Sequence, residues 1–522
     1  MAIGVGVSLL VDWNNDGNFD HPDSNVSDNV LTLAWSRGRD SASQLTGRST
    51  AGELEATLKN EDNLYNSFNS GGDLYGKIVP GLGVQLRISS GTDVIFPYTL
   101  PLTFPDEEQS PAWRGYLDSV SPSFLRDSGK ELVLRATGSL ARIAARETAE
   151  IVTSTSIRTG AAITLVINDA DSSIPTSIDT GETTMTRWWT SAQPALDAIR
   201  AIEETEIGYI GESPDGEIVF ESRHSRLKSP HTVSQGTFSD AADATLTYAD
   251  IVQIDPLSET YNTMNANVQL YTVGSLAVLW TLAESGANSP PLLAGASKVF
   301  IAKFPSSASA TNASHVNAWT TTAATTDVLL NAASDGTGTN LTSSLTIGVA
   351  KYAESMEITL TNGSATDGFI TKLQARGTPV TADDPLKIVE QDATSQTSFG
   401  KRTFPLEGPF IPSEQDARDY MKFLLSIHKD PMKMLSLTWD GNKDDTHKTK
   451  ARELDVSDRI TVVASNRSGL GINTDFFIEY MRHSMDMEGR YSVTYECSDA
   501  TAYGGFWVLD VGKLGASTRF AI

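Results

Sequence analysis

An Asp- and Asn-rich segment near the N-terminus has the spacing of oxygen ligands that a calcium loop needs. Within residues 12–23, oxygen-bearing side chains stand at positions 1, 3, 5, 9 and 12, with Gly17 at position 6 and an apolar residue at position 8. Ca²⁺ takes six to eight oxygen ligands, and the glycine permits the sharp turn that gathers them. The candidate ligands are Asp12, Asn14, Asp16, Asn18 (through its backbone carbonyl), Asp20 and Asp23.

Two features of this loop depart from the EF-hand pattern. The last position is Asp23 rather than the longer Glu, and a strand-like run precedes the loop where an EF-hand has a helix. Asn, Asp and Gly also favour turns in the absence of any ion. The sequence therefore leaves two readings open, a possible Ca²⁺ site and a hairpin tip without an ion.

Residues that could act in catalysis do not form a recognisable constellation. Two Ser-x-x-Lys matches, 225–228 and 426–429, lack the companion motifs of the enzymes that use this pattern. The seven histidines show no metal-ligand spacing. We interpret three pairs of adjacent acids as solvated surface rather than as a glycosidase pair, because a glycosidase needs two carboxyls roughly 5–9 Å apart across a sugar. These acids are Glu107-Glu108, Asp383-Asp384 and Asp444-Asp445. We expect no enzymatic activity.

The composition predicts a folded, acidic protein of several domains. The 522 residues include 40 Lys+Arg and 65 Asp+Glu, for a formal charge of −25, and 39% are hydrophobic. That length suggests roughly three or four domains. The acidic charge argues against a surface that coats nucleic acid or binds anionic membranes. The single cysteine, Cys497, excludes an internal disulfide, a Cys-based zinc site and an iron–sulfur cluster.

Neither a membrane span nor a secretion signal is recognisable. No apolar run reaches the length needed to cross a bilayer, so we expect no membrane insertion. The N-terminal residues lack the positively charged start of a signal peptide and alternate like a strand. We therefore expect synthesis in a cytoplasm without processing.

Alternation of apolar and polar residues is the dominant pattern and predicts half-buried antiparallel strands. Helices are few. One is predicted to open at residues 191–194, with Pro194 early in its first turn, and another is predicted after Ser413, which begins a sequence resembling a capping box. Residues 138–146 predict a short helix, whereas 161–170 fit a helix or a strand. No fixed-period repeat is present.

The composition changes sharply once along the chain. Residues 306–346 contain no Lys or Arg, and 17 of these 41 residues are Ser or Thr, with strand-like runs on either side. We interpret 270–378 as an inserted β-sandwich. Its Trp280 and Trp319 could stack on a sugar, but large aromatic side chains dominate burial, so a core position is favoured.

Short segments spread over nearly the whole chain resemble, in order, the tail hub proteins (baseplate hub or tail-tip hub) of long-tailed bacteriophages. The segments are 11–19, 30–39, 49–60, 74–81, 84–88, 113–118, 138–142, 195–223, 360–379, 398–402, 455–459, 476–480 and 506–515.

The resemblance implies a non-enzymatic virion protein at the distal end of the tail. Such hubs are homotrimers in which each subunit carries two β-barrel domains related to tube subunits, so that three copies form a pseudo-sixfold ring. The implied partners are the distal tail protein, the tail tube, the tape measure protein and a central fibre or spike. The ring lines the channel through which DNA leaves, without stable nucleic-acid binding.

The expected fold class is mainly β with minor α (α+β), multi-domain, with tube-type β-barrels and an inserted β-sandwich. The expected divisions are 1–137 (first barrel), 138–269 (α/β hub domain with a helix and hairpin), 270–378 (sandwich), 379–500 (second barrel with a helix) and 501–522 (an extension contacting a partner). Four basic residues in the hub-like segments could pair with carboxylates of a neighbouring subunit or within the chain surface. They are Arg37, Arg39, Lys401 and Arg402.

Two alternatives to the hub belong to other functional classes. One is a multi-domain glycan-binding adhesin or receptor-binding tail protein, in which the insert and the calcium-like loop would bind. The other is a tail-associated hydrolase, which the missing catalytic constellation disfavours.

Overall fold

The computed structural model describes residues 6–39, 48–89, 109–125, 129–254, 260–306, 309, 311–486, 488–504, 506–507 and 519–520. These residues contain thirty-three strands and six α-helices, which confirms the mainly-β, multi-domain class. In this part of the chain, no helix combines the length and apolarity required to cross a membrane.

The strands are numbered in chain order. The first seventeen are β1 Val7–Val11, β2 Val30–Arg39, β3 Ser49–Lys59, β4 Gly83–Ser89, β5 Gln109–Leu125, β6 Gly129–Thr137, β7 Glu147–Thr148, β8 Ile151–Arg158, β9 Thr176–Ile178, β10 Thr184–Thr190, β11 Gln193–Pro194, β12 Tyr209–Glu212, β13 Ile218–Glu221, β14 Thr237–Ser239, β15 Asp250–Ile254, β16 Thr263–Val268 and β17 Tyr271–Val273. The others are β18 Ala277–Thr281, β19 Pro291–Leu292, β20 Ser297–Lys303, β21 Ala313–Trp319, β22 Val328–Asn331, β23 Leu345–Lys351, β24 Ser355–Asn362, β25 Gly368–Ala382, β26 Leu386–Gln391, β27 Thr403–Leu406, β28 Met434–Asp440, β29 Arg459–Ala464, β30 Ile472–Asp486, β31 Tyr491–Asp499, β32 Phe506–Trp507 and β33 Arg519–Phe520.

The helices confirm several sequence predictions. They are α1 Ser139–Ala144, α2 Thr159–Asp171, α3 Ala195–Glu206, α4 Ala393–Phe399, α5 Glu414–His428 and α6 Asp445–Glu453. Residues 161–170, left open between helix and strand, belong to α2. The Ser413 side chain caps α5 by accepting a hydrogen bond from the backbone N–H of Asp416.

One twelve-stranded sheet contains strands from both ends of the chain. Its order is β1-β4-β5-β6-β3-β2-β30-β31-β28-β15, with β29 beside β30 and β14 beside β29. A single apolar cluster packs along it, and Trp13, Trp113 and Trp439 are among the buried residues.

The closed barrels expected from the sequence are not formed among the described residues, since no pairing there joins β1 to β2 or β14 to β15. The outer edge of β1 is covered instead by the segment that follows it. The N–H of Val11 donates to the carbonyl of Ser24 at 2.9 Å, and that of Val26 donates to Leu9 at 3.0 Å. These bonds occupy backbone N–H and C=O groups of β1 that a strand closing the barrel would need.

A helix-and-hairpin unit follows the first six strands. Helices α1, α2 and α3 pack with the β12-β13-β9 sheet around a separate apolar cluster. In α3, Ala195, Ala198, Ile199 and Ile202 are buried, which is the one-sided pattern of an amphipathic helix.

The segment between β16 and β26 forms two sheets around its own core. Strand β25 pairs with β17, β18, β19, β21 and β22, while β20, β24 and β23 form the second sheet. Trp319 is buried in this core and its indole N–H donates to the carbonyl of Tyr352 at 2.8 Å. This confirms the core interpretation of Trp319, and Trp280 is half-buried against the same cluster. The predicted domain boundaries stay predictions.

Candidate functional site

The large sheet contains one six-strand arrangement twice. We call β1–β6 the first module and β14, β15 and β28–β31 the second module. Their strand orders are β1-β4-β5-β6-β3-β2 and β14-β29-β30-β31-β28-β15, so the modules match strand for strand in chain order as well as in space. They differ in one pairing, because β1 is antiparallel to β4 whereas β14 is parallel to β29.

A β-bulge at the same place in each module aligns the two residue by residue. The pairing of β5 with β6 shifts between Leu117 and Ser119, and that of β30 with β31 shifts between Ile478 and Tyr480. Asp118 and Glu479 are therefore the matching extra residues. Counting from these bulges makes Phe124 the counterpart of Met485.

The alignment extends across the sheet to the last strand of each module. Glu53 pairs with Thr137 in the first module, as Met434 pairs with Ser498 in the second. The partners of Glu53 and Met434 on the other side are Ser36 and Ile254. Strand β15 is thus the counterpart of residues 32–36 in β2.

The two modules are joined edge to edge by antiparallel pairing of β2 with β30, from Thr32 opposite Asp486 to Gly38 opposite Tyr480. One face of this internal joint is buried. The Trp35 ring stacks on His483, with centroids 4.7 Å apart and 9° between the planes. The guanidinium of Arg37 lies 2.9 Å from the Asp455 carboxylate.

A buried ion pair stands behind the internal joint. The bulge turns Glu479 inward, where both carboxylate oxygens accept hydrogen bonds from Arg226, at 2.6 and 2.8 Å. The Ser498 hydroxyl donates a third bond at 2.6 Å, and Arg39 lies 3.9 Å away. Burial acts to raise the pKa of Glu479, but the charge and hydrogen bonds of Arg226 outweigh it and lower that pKa to about 2.

These contacts decide the roles of the basic residues singled out in the sequence. Arg37 pairs with Asp455 and Arg39 approaches Glu479 inside the chain, where the sequence suggested an intersubunit or a surface pair. Arg402 donates to the carbonyl of Phe399 at 3.4 Å, and Lys401 is exposed. Both arginines therefore face carboxylates of the same chain.

Two strand segments end the large sheet on its two sides. Strand β15 is the last strand of the order, next to β28, and residues 119–125 of β5 extend beyond β4, which pairs with β5 from Gln109 to Tyr116. Both edges expose apolar side chains. Val252 is 48% exposed and Phe124 is 70% exposed.

One face of the sheet is polar and rich in small hydroxyls. Alternation with the buried core residues directs to this face twelve Ser and Thr side chains, seven acids and four bases. The hydroxyls are Thr32, Ser36, Thr57, Ser119, Ser121, Ser123, Thr137, Ser436, Thr438, Ser484, Ser492 and Thr494. The acids are Glu53, Glu55, Glu131, Asp250, Asp440, Asp486 and Glu496, and the bases are Lys59, Arg114, Arg135 and Arg482. The polar face therefore carries net negative charge.

The candidate calcium loop is held by its own hydrogen bonds. The buried Asp12 carboxylate accepts from the N–H of Gly17 at 2.8 Å, and the Asn14 amide donates to Asp20 at 3.2 Å. The Lys77 ammonium donates to the Asn14 side-chain oxygen at 3.2 Å. The described residues contain no cluster of three or more His, Cys, Asp or Glu that could hold a metal. Calcium binding stays a prediction, which calorimetric titration with Asp16→Ala as control tests.

The Ser-x-x-Lys segments place each lysine beside a carboxylate. The Lys228 ammonium lies 2.7 Å from Glu182, and that of Lys429 lies 3.1 Å from Asp392. The Ser426 hydroxyl donates to the carbonyl of Phe423 at 2.7 Å. The lysines are thus engaged in ion pairs.

Comparison with known proteins gives distant likenesses in structure only. No protein-family model matches this chain, and no curated protein matches it. A 43 kDa tail protein of prophage MuSo2 from Shewanella oneidensis aligns over 95% of this chain and 99% of its own, with 11% identity and a TM-score of 0.46. The tail protein from Neisseria meningitidis MC58 aligns over 95% and 97%, with 9% identity and a TM-score of 0.49.

A third solved structure is a component of the type VI secretion system of E. coli, described as similar to the T4 bacteriophage tail proteins gp27 and gp5. It aligns over 90% of this chain and 73% of its own, with 5% identity and a TM-score of 0.34. All three likenesses are distant in sequence and in fold.

Proposed function

We propose that this chain is a structural hub of a bacteriophage tail, of which three copies close into a ring at the distal end of the virion. The ring would join the tail tube and distal tail protein to the tip or central fibre, with the tape measure protein inside before ejection. The observation that carries the proposal is the duplicated module, joined edge to edge in one sheet. The tail-hub resemblance of the sequence segments supports the same assembly.

A chain with two equivalent modules is suited to head-to-tail assembly. Repeating one heterologous contact gives a closed ring if the rotation closes and an open filament if it does not. Three such chains present six equivalent modules, so a single ring could match a six-fold tube on one side and a three-fold tip on the other.

The size and chemistry of the polar face suit a channel for DNA. In each copy, eight strands lie side by side across this face, in the spatial order from β5 to β15. Three copies would therefore supply about twenty-four strands. At about 4.8 Å per strand, their backbones would enclose a ring roughly 37 Å across before any tilt. Small hydroxyls with net negative charge would repel the phosphate backbone and allow DNA to pass without being held.

Light scattering and electron microscopy of the purified full-length chain test this proposal. We expect a trimer with a central hole, and a C-terminal label at the distal end of intact tail particles. A chain that stays monomeric at high concentration and a label that is absent from tails would overturn the proposal. We also expect no retention of duplex DNA at physiological salt, and tight retention would contradict a channel role.

A further inference from the structure

Behind the internal joint, Arg39 has hydrogen-bond donors that the surrounding residues do not use. Its side chain is 15% exposed, and its Nε is buried without a hydrogen-bond partner among the described residues. The guanidinium lies over the Tyr209 ring, 4.1 Å from the centroid. The Glu479 carboxylate stays 3.9 Å away, because its oxygens already accept hydrogen bonds from Arg226 and Ser498. A guanidinium carries five N–H donors, so Arg39 can bind a further acceptor.

A cleft of about 300 Å³ borders Arg39. It lies between the end of α3, strand β27 and helix α5. Its apolar wall consists of Phe404, Leu406 and Leu424, which belong to one core cluster, and Ile207 packs against the same cluster. The volume is at the lower end of the range of about 300–1,000 Å³ that is typical of small-molecule sites. The cleft therefore suits a small ligand with an apolar part.

The charges around the cleft limit the ligand further. Glu203 and Glu204 also line it, but each is engaged in an ion pair within the chain, and Glu407 is exposed. Three acids beside one cleft disfavour a ligand with two or more negative charges, such as phosphate. The planar guanidinium of Arg39 matches the two oxygens of a single carboxylate.

We propose that this cleft binds an apolar carboxylate, whose charged group Arg39 holds and whose hydrocarbon part packs on Phe404, Leu406 and Leu424. Two sources share this chemistry, the C-terminal residue of a peptide with an apolar side chain and a short fatty acid. The site goes beyond the hub function and does not depend on the ring, since all its residues belong to one chain.

Calorimetric titration of the purified full-length chain with three probes tests the ligand chemistry. N-acetyl-leucine represents a peptide end, hexanoate represents a fatty acid, and N-acetyl-leucinamide has the apolar group of the first without its carboxylate. We expect at least one carboxylate to bind with a Kd of about 1–10 mM, as is usual for ligands this small, and the amide to bind at least about tenfold more weakly.

The outcomes are distinct for this site. The tighter of the two carboxylates identifies the source, and either order supports the proposal. Equal binding of N-acetyl-leucine and its amide, or no binding of either carboxylate at about 50 mM, would overturn the proposal. A chain that forms rings but binds neither carboxylate would leave the hub function standing.

Variants at the two arginines of the cleft locate the site. Arg39→Met should weaken binding of the tighter carboxylate about tenfold or more, and Arg39→Lys should weaken it less, because lysine keeps the charge without the planar donors. The matched control is Arg48→Met, which removes a rim arginine that is 58% exposed and paired with Glu204, and should stay within about threefold of wild type. Equal losses in Arg39→Met and Arg48→Met would overturn the assignment. The comparison of acid and amide uses the unaltered chain, so it decides the question even if Arg39→Met does not fold.

Discussion

Glu479 shows how one extra residue directs the chemistry of a buried site. The bulge in β30 turns its carboxylate away from the polar face, and Arg226 meets it with two hydrogen bonds. Removing one partner of a buried ion pair leaves the other charge without compensation, which is far more costly than losing an exposed pair.

We predict that Arg226→Met lowers the free energy of unfolding by about 3–5 kcal/mol, because Glu479 would keep a buried charge without its main partner. Urea denaturation measures the change. The matched control is Arg135→Met, which removes an exposed pair with Glu55, where the side chains are 56% and 53% exposed, and should cost less than about 1 kcal/mol. Equal losses in the two variants would contradict a role for the buried pair.

His483 makes the internal joint sensitive to acid. Burial, helped by the charge of Arg37, lowers the pKa of His483 to about 3. An unfolded histidine titrates near 6.5, so between these values the unfolded chain binds more protons than the folded chain. The contribution of this group to stability is therefore complete above pH 6.5 and is lost progressively as the pH falls toward 3.

We predict that His483→Phe reduces the acid dependence of stability by about 1.4 kcal/mol per pH unit in this window. At pH 7 the variant should be about 1 kcal/mol less stable than wild type, because the hydroxyl of Tyr491, 2.8 Å from the imidazole Nδ1, loses its partner. Unfolding curves at pH 7, 6, 5 and 4 provide the measurement. An unchanged pH dependence would show that His483 is not the titrating group.

At the scale of elements, two helices without a recognisable sequence pattern begin at aspartates. The Asp392 carboxylate accepts from the backbone N–H of Ser395 at the start of α4, and Asp444 accepts from that of His447 at the start of α6. Asp444 and Asp445, which the sequence suggested were both solvated surface acids, therefore have two distinct roles. Asp444 caps the helix and Asp445 lies in its first turn.

We predict that Asp444→Ala lowers stability by about 1 kcal/mol, because the N-cap is lost and His447 is buried beside it. Asp445→Ala is the control, since this side chain is 82% exposed and contributes only to the helix dipole and to an exposed pair with Lys448, which we expect to be worth less than about 1 kcal/mol. Thermal unfolding compares the two variants. A larger loss for Asp445→Ala would refute the cap assignment.

At the scale of the whole molecule, the insert leaves and rejoins the chain at adjacent points. Val268 at the end of β16 pairs with Leu386 at the start of β26. The insert also rests on the helix-and-hairpin unit, where His315 stacks on Trp189 with ring centroids 3.6 Å apart. Neither contact involves β2 or β30, so the insert is separate from the internal joint.

We predict that replacing residues 269–385 with Asn-Gly leaves self-association within about threefold of the full chain, because the β16–β26 hairpin closes with a two-residue turn. The melting temperature should fall, since Trp189 loses its stacking partner. Sedimentation at several concentrations provides the measurement. Loss of the oligomer would place the insert in the ring.

Local patterns were sufficient to predict the mainly-β class, the existence of α3, the Ser413 cap of α5 and the buried position of Trp319. Pro194, predicted within the first turn of α3, lies just before it. Each of these depends on neighbours in sequence or on the burial of one large apolar group. The α4 and α6 caps were also within reach, because an aspartate before a short polar helix is a local signal.

The duplicated module, the internal joint and the Arg226–Glu479 pair depend on contacts between residues far apart in the chain. The second module is assembled from segments separated by the insert, and its residues match those of the first in position rather than in type, so no fixed-period repeat exists to be found. The bulge that turns Glu479 inward is a property of strand register. Register is set by the packing of the whole sheet, because shifting a strand by one residue moves all its side chains to the opposite face.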